Sequence, residues 1–168
     1  MKCAVITPVG PGHMDLYERE CRASIEVAIQ NGMGVFEDVK PFMMDDTLAQ
    51  MGRSKARNIT LDLAAGEGYD WVFFLDADDI MAPDAFVAFS KEYEANPSVD
   101  CFWGAIAELT ASGPVAREGQ IESILSTAHF LGSNPFLSIQ IGFFGKLDVA
   151  RRFGSDVTMD AGENFNLY

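Results

Sequence analysis

Trp71-Val72-Phe73-Phe74-Leu75-Asp76-Ala77-Asp78-Asp79 is an apolar run broken off by three carboxylates in four positions. A continuous apolar run without polar alternation is the pattern of a strand buried on both faces, as in a parallel sheet covered by helices. In open α/β sheets, ligands collect at the carboxyl ends of the strands, so these acids stand where a site belongs. Asp76, Asp78 and Asp79 repel one another unless a cation is present. A hard ion such as Mg²⁺ or Mn²⁺ takes oxygen ligands, commonly one or two carboxylates plus substrate phosphates. A helix opening at Pro83 also favours acids near its start, but one acid serves that purpose and three exceed it.

The flanking segments alternate in kind. Lys2 to Thr7 reads as a buried first strand closed by Pro8 and the loop Gly10-Pro11-Gly12. Asp15 is expected to cap a helix running to about Asn31, with Tyr17, Cys21, Ile25, Ala28 and Ile29 spaced by three and four. Val35 to Val39 is predicted as the second strand and 40–52 as a loop. Ser54 is expected to cap a helix that buries Ala56, Ile59, Leu63 and Ala64 and ends at Gly66 or Gly68. Beyond Pro83, the positions of Phe86, Phe89 and Tyr93 predict a helix ended by Asn96-Pro97. A strand over Val99 to Leu109 follows, turning at Ser112-Gly113-Pro114. A helix over Glu118 to Leu131, a strand over Ser138 to Phe144 and a short helix over Asp148 to Phe153 complete the reading. Strands and helices alternating at this spacing predict a single α/β domain over 1–168.

Composition narrows the function. The 168 residues include 12 Lys or Arg against 25 Asp or Glu, a formal charge of −13, with 48% apolar and 11% aromatic residues. Such apolar content excludes intrinsic disorder, and the charge argues against nucleic acid as the main partner. No secretory signal is visible, and no stretch approaches the roughly 20 apolar residues of a membrane span, so a cytoplasmic location is expected. Cys3, Cys21 and Cys101 are expected to be reduced core thiols.

Two further features bear on chemistry. Arg53-Ser54-Lys55-Ala56-Arg57-Asn58 places three basic residues within five positions at a predicted helix N-terminus, where the dipole disfavours cations. That cost makes sense if the cluster faces an anion, and Arg53 and Arg57 share one helix face at i, i+4. Pairing with Asp45 and Asp46 is the alternative. Gly10-x-Gly12, with Glu37 and Asp38 farther on, matches a dinucleotide fingerprint poorly, because Asp15 stands at the third glycine and would face a pyrophosphate. His13 can reach a phosphate or an acceptor. His129 is expected to be structural, and Trp103-Gly104 to lie in the core, with a sugar-pocket wall as its alternative.

Taken together, Val5-Ile6-Thr7-Pro8, Gly52 through Arg57-Asn58, and Phe74-Leu75-Asp76-Ala77-Asp78-Asp79 with Pro83 resemble family-2 glycosyltransferases of the GT-A fold in order and spacing. Gly142-Phe143-Phe144, Phe153-Gly154 and Gly162-Glu163-Asn164-Phe165-Asn166-Leu167 resemble the acceptor-side region of that family. The resemblance implies a Rossmann-like three-layer sandwich with a mostly parallel sheet. Its nucleotide-binding half would be about 1–110 and its acceptor-side half about 111–168. It also implies a nucleotide-diphospho-sugar donor, a UDP-sugar by family habit, with Mn²⁺ or Mg²⁺ as cofactor and inverting transfer to an acceptor hydroxyl. Carried over by position, Thr7, Pro8 and Val9 would line the nucleotide base. Asp38, or its neighbour Glu37, would face the base from the end of the second strand. Arg57, helped by Arg53, would hold the base or the diphosphate. Asp76 would contact the ribose or the donor sugar, and Asp78, assisted by Asp79, would bind the metal.

One departure bears on catalysis. Where the family carries Gly-Glu-Asp, with the Asp as general base, this chain has Gly162-Glu163-Asn164, and an amide cannot take the proton. Glu163 is the first substitute and Asp160 the second; a non-catalytic nucleotide-sugar binder is the alternative. A Mg-dependent phosphohydrolase is a weaker rival, because no later Lys with a second acid pair follows the Asp motif. The chain stops at Tyr168, where relatives continue into further helix, so a minimal or truncated member is expected.

Overall fold

The computed structural model describes residues 1–120, 123, 126–132 and 142–159. The apolar run forms β3 (Trp71–Phe74), all four residues buried, at the centre of a five-stranded sheet. Strand β1 (Lys2–Val9) pairs in parallel with β2 (Asp38–Asp45) on one side and with β3 on the other. Strand β7 (Phe143–Lys146) runs antiparallel to both β3 and β4 (Cys101–Trp103), so four of the five strands share a direction. The sheet is therefore mostly parallel, as expected.

Side chains alternate across this sheet and build two cores. Cys3, Val5, Trp71, Phe73 and Phe144 point to one face, where they meet Ile25 and Ala28 of α2 (Arg22–Asn31) and Phe86 and Phe89 of α4 (Ala85–Ala95). Ala4, Ile6, Val72, Phe74 and Phe143 point to the other, against Leu61 and Ala64 of α3 (Arg53–Gly66) and Leu147 and Ala150 of α6 (Leu147–Phe153). The first core is dominated by stacked and edge-on aromatic rings around Phe89. Each such ring contributes about 2–3 kcal/mol relative to exposure. The result is a helix–sheet–helix sandwich.

The helix expected to be capped by Asp15 begins two residues earlier. Short α1 (Met14–Leu16) passes through a π-helical turn at Tyr17–Cys21 into α2, which Gly32 ends at φ 130°. His13, not Asp15, holds the N-cap position, and Asp15 lies in the first turn.

The second strand departs further from expectation. It starts at Asp38, because 33–37 form a turn in which Gly34 lies flush against α4. A Cβ on Gly34 would meet the Phe86 carbonyl at 2.6 Å, so Val35 and Phe36 cannot extend a strand there, and Phe36 packs into the aromatic core. Residues 40–45, expected as loop, are strand, since β2 lies at the sheet edge where Pro41 and charged neighbours are tolerated.

The strand expected over Val99 to Leu109 is two elements. Strand β4 stops at Trp103, and β5 (Ala107–Thr110) pairs instead with β6 (Gly113–Ala116) in an exposed hairpin. Of the helix expected over Glu118 to Leu131, the described part is α5 (Thr127–Gly132). Cys3, Cys21 and Cys101 are free, the first two buried. No helix among the described residues is long and apolar enough to cross a membrane.

Candidate functional site

The parallel register brings the ends of β1 and β3 side by side, with the Leu75 N–H donating to the Ile6 carbonyl at 3.1 Å. Past Leu75 the chain turns, the Asp79 N–H donating back to the Asp76 carbonyl at 3.1 Å. The underlying helices pin this loop. The Cys21 thiol donates to the Asp76 carbonyl at 3.5 Å, and Ser24 Oγ accepts the Met81 N–H at 2.9 Å. Asp76 is thus presented on a braced turn, while Asp78 and Asp79 are exposed.

Helix α3 supplies the counter-charge. Its buried face is Ser54, Ala56, Arg57, Thr60, Leu61 and Ala64, whereas Ile59 is only half-buried and Leu63 is 51% exposed. The expected apolar face is therefore rotated, because a basic residue occupies its centre. Arg57 is 1% exposed, and its Nη2 donates to Asp76 Oδ1 at 2.7 Å. Burial pushes the Asp76 carboxyl above the usual carboxylate range even though 26% of its side chain remains exposed. The Arg57 guanidinium opposes that rise, Asp78 adds to it, and Arg53 opposes it from the exposed first turn of α3.

The start of α3 is set by Asp46 rather than by the expected Ser54 cap. Gly52 holds the N-cap position at φ 78°. Buried Asp46 accepts the N–H groups of Gln50, Met51 and Gly52 at 2.7–2.9 Å, and its own N–H donates to the Val9 carbonyl at 2.8 Å. These amide bonds, the Met51 bond first, hold its carboxyl below the ordinary value. Asp46 thereby anchors α3 to the end of β1, instead of pairing with Arg53 or Arg57 as the sequence alternative had it. An acid preceding a run of loop amides and a cap glycine was the signal available for this role.

Across the loop, His13 Nδ1 lies 2.9 Å from the Pro11 carbonyl, and Nε2 lies 4.0 Å from Asp78 Oδ2. Asp79 carries the strongest strain of charge. Its carboxyl is pushed up to about 6, first by desolvation and then by Asp76 and Asp78, with Arg117 opposing. An acid whose folded pKa is raised costs the fold stability above that value and nothing below its unfolded value near 3.8. Asp79 is exposed, so solvent screens much of this cost. Asp79→Asn should accordingly raise Tm on the order of 2 °C at pH 7.5 and by much less at pH 4. Thermal melts at the two pH values check this, and a gain of equal size at both would show that repulsion in the loop is not its source.

The structure gathers Arg53, Arg57, Asp76, Asp78 and Asp79 at one edge of the sheet with the end of β1. Of the β1 residues, Thr7 and Val9 are enclosed in protein, and Pro8 is the partly exposed one. Asp38 is not part of the group. It pairs with Lys2 at the start of β1, at the opposite edge of the sheet, and accepts the Tyr69 hydroxyl at 2.7 Å. The later start of β2 is the cause, and Glu37 precedes Asp38 at that same far edge. Asp160 and Glu163 lie outside the described residues.

Among the described residues, no three His, Cys, Asp or Glu side chains are grouped as a ready metal cage. A Mg²⁺ or Mn²⁺ ion that keeps waters and substrate phosphates needs only one or two carboxylates, and exposed, mutually repelling Asp78 and Asp79 suit such an ion.

Behind this edge, Asn58 of α3 is bonded through both side-chain atoms to the backbone of Ser155, just past α6. A cavity of about 300 Å³ opens there, with Asp62 and Arg151 paired at 2.9 Å beside it.

A family model described as Glycosyl transferase family 2 matches residues 47–143. No curated protein sequence matches the chain. Among solved structures, the crystal structure of S. aureus TarS 1–349 superposes with a TM-score of 0.69 at 14% identity, over 100% of this chain and 55% of that one. The same protein in complex with UDP gives 0.66 at 15% identity, over 98% and 53%. In complex with UDP-GlcNAc it gives 0.61 at 14% identity, over 93% and 49%. At such identities the likeness is one of fold, and the fold is GT-A. The chain spans about half the length of these structures.

Proposed function

The chain belongs to glycosyl transferase family 2, and from that premise we propose that it transfers a sugar from a nucleotide-diphospho-sugar to an acceptor hydroxyl with inversion. The observation that carries the reading is the buried Arg57 fixed on Asp76 at the carboxyl edge of the sheet, beside the exposed acids Asp78 and Asp79. The UDP and UDP-GlcNAc complexes of TarS, similar in fold, favour a UDP-sugar as donor.

In this reading Asp76, held rigid by Arg57, accepts a hydroxyl of the ribose or the donor sugar. Arg53, one turn nearer the helix start, meets the diphosphate. Asp78, with Asp79 beside it, holds a divalent cation, which when bound neutralises the charge that develops on the leaving diphosphate. A net charge of −13 is then no obstacle to an anionic donor, because the anion is met by a cation and by Arg53 rather than by a basic surface. Inversion requires a base on the acceptor side, and Glu163, then Asp160, are the proposed groups.

Melting the protein with UDP, GDP, ADP and CDP, each with Mn²⁺ and with chelator, tests the reading. A nucleotide diphosphate at about 100 times its Kd stabilises by about 2.7 kcal/mol, a rise of several degrees. We expect UDP with Mn²⁺ to give the largest rise; no rise with any of the four would sink the reading. Asn164 favours a second reading, a binder without turnover. Slow release of UDP from UDP-GlcNAc in water separates the two, since only a catalyst accelerates it.

A further inference from the structure

Two successive residues of α3 are committed to two distant parts of the chain. Arg57 bonds Asp76, and Asn58 spends both polar atoms of its side chain on a single residue 97 positions away. Asn58 Oδ1 accepts the Ser155 N–H at 2.8 Å, and Nδ2 donates to the Ser155 carbonyl at 2.9 Å. The backbone leaves α6 through Gly154 at φ 64°, and a Cβ there would stand 3.3 Å from Asn58 Oδ1. The tie is therefore bidentate and close-fitting, and a Cβ at position 154 would crowd it while straining the backbone at its positive φ.

The end of α3 that carries it is itself fixed. Asp46 holds the amides leading into the helix and is bonded to the Val9 carbonyl at the end of β1. One helical turn thus sets the donor-side acid and the segment that follows α6. In sequence, 155–159 leads directly to Asp160 and Glu163.

We propose that Asn58 is a positioning residue for the transfer: by clamping Ser155 it fixes 155–159, the segment that leads in sequence to Asp160 and Glu163, to the turn of α3 that holds Asp76. The inference rests on the donor reading above and adds to it a residue that touches neither donor nor acceptor. Its loss leaves nucleotide binding in place and slows the chemical step, because 155–159 is no longer held in register with Asp76.

Hydrogen exchange on the full chain, with and without UDP and Mn²⁺, reads the clamp directly. In the unmodified protein the nucleotide slows exchange in peptides covering 53–58 and, through the tie, 155–159. In Asn58→Ala it slows only the first, and 155–159 exchanges about tenfold faster without nucleotide. In UDP-GlcNAc hydrolysis the same variant loses about tenfold in kcat with a KM within about twofold, a split that general destabilisation does not produce. Gly154→Ala crowds the same contact from the other side and strains the backbone at φ 64°, and it gives the same split. Retained protection of 155–159 in Asn58→Ala, or a loss shared equally by kcat and KM, would overturn the inference. Absence of nucleotide protection at 53–58 in the unmodified protein would instead overturn the donor reading, and this inference with it.

Discussion

Arg57→Met is expected to lower the unfolding free energy by about 3 kcal/mol and to weaken binding of a nucleotide diphosphate by about tenfold or more. Methionine replaces most of the apolar stem that Arg57 packs at 1% exposure, so little cavity remains and the loss is chiefly electrostatic. Removing one member of a buried pair costs about 3–5 kcal/mol, because the other is left desolvated. The lower end applies here, since Asp76 keeps some exposure and, already raised, can escape by taking a proton. That escape gives the prediction its sign. Without the guanidinium the folded-state pKa of Asp76 rises further, so the deficit is largest above that value and shrinks as pH falls through it. Urea melts of both proteins at pH 5 and pH 8 should show the larger difference at pH 8. A difference below about 1 kcal/mol at both would reduce the pair to the worth of a surface bridge. Arg57→Lys should not restore the native value, because an ammonium cannot match the planar fork of the guanidinium.

This pair also shows where the sequence stops being readable. The apolar run of β3 and the acids after it announced both the central strand and the site edge, because burial on two faces and charge crowding leave marks in adjacent residues. The contribution of Arg57 to the buried face left no such mark. Periodicity counts a basic residue as surface, so it predicts a buried face of α3 through Leu63, which is exposed, rather than through Arg57 and Leu61. The same limit displaced β2. Val35 and Phe36 have strand-like side chains, but Gly34 must lie against Phe86 and Ser90 of α4, a contact more than 50 residues away in the chain. Asp38 is consequently expected at the ligand edge and lies at the other one. The Asn58–Ser155 tie is of this kind as well: the asparagine was conspicuous beside Arg57, yet its partner is fixed only once α6 lies against α3.

Asp78→Ala should do the reverse of Arg57→Met, sparing the fold and removing the cation. The Asp78 side chain is 57% exposed, and its charge raises both Asp76 and Asp79, so its loss relieves repulsion and Tm holds or rises slightly. Binding is where the change is felt. If Asp78 anchors the cation that meets the diphosphate, the variant should bind UDP equally with Mn²⁺ and with chelator. Its affinity should sit about tenfold or more below that of the unmodified protein in Mn²⁺, a loss of about 1.4 kcal/mol. Calorimetric titration of UDP in four arms, each protein with metal and with chelator, separates this from a general loss of the site. Equal affinities in all four would return Asp78 to a surface acid and leave the diphosphate to Arg53. Metal dependence that survives the substitution would move the ion to other ligands in the loop, with Asp79 first among them. The two variants together therefore divide the site by physical role. A buried guanidinium holds the architecture, and its removal is felt in folding as well as binding. An exposed carboxylate, on the proposed reading, acts only when ligand and cation arrive, and its removal should be felt in binding alone.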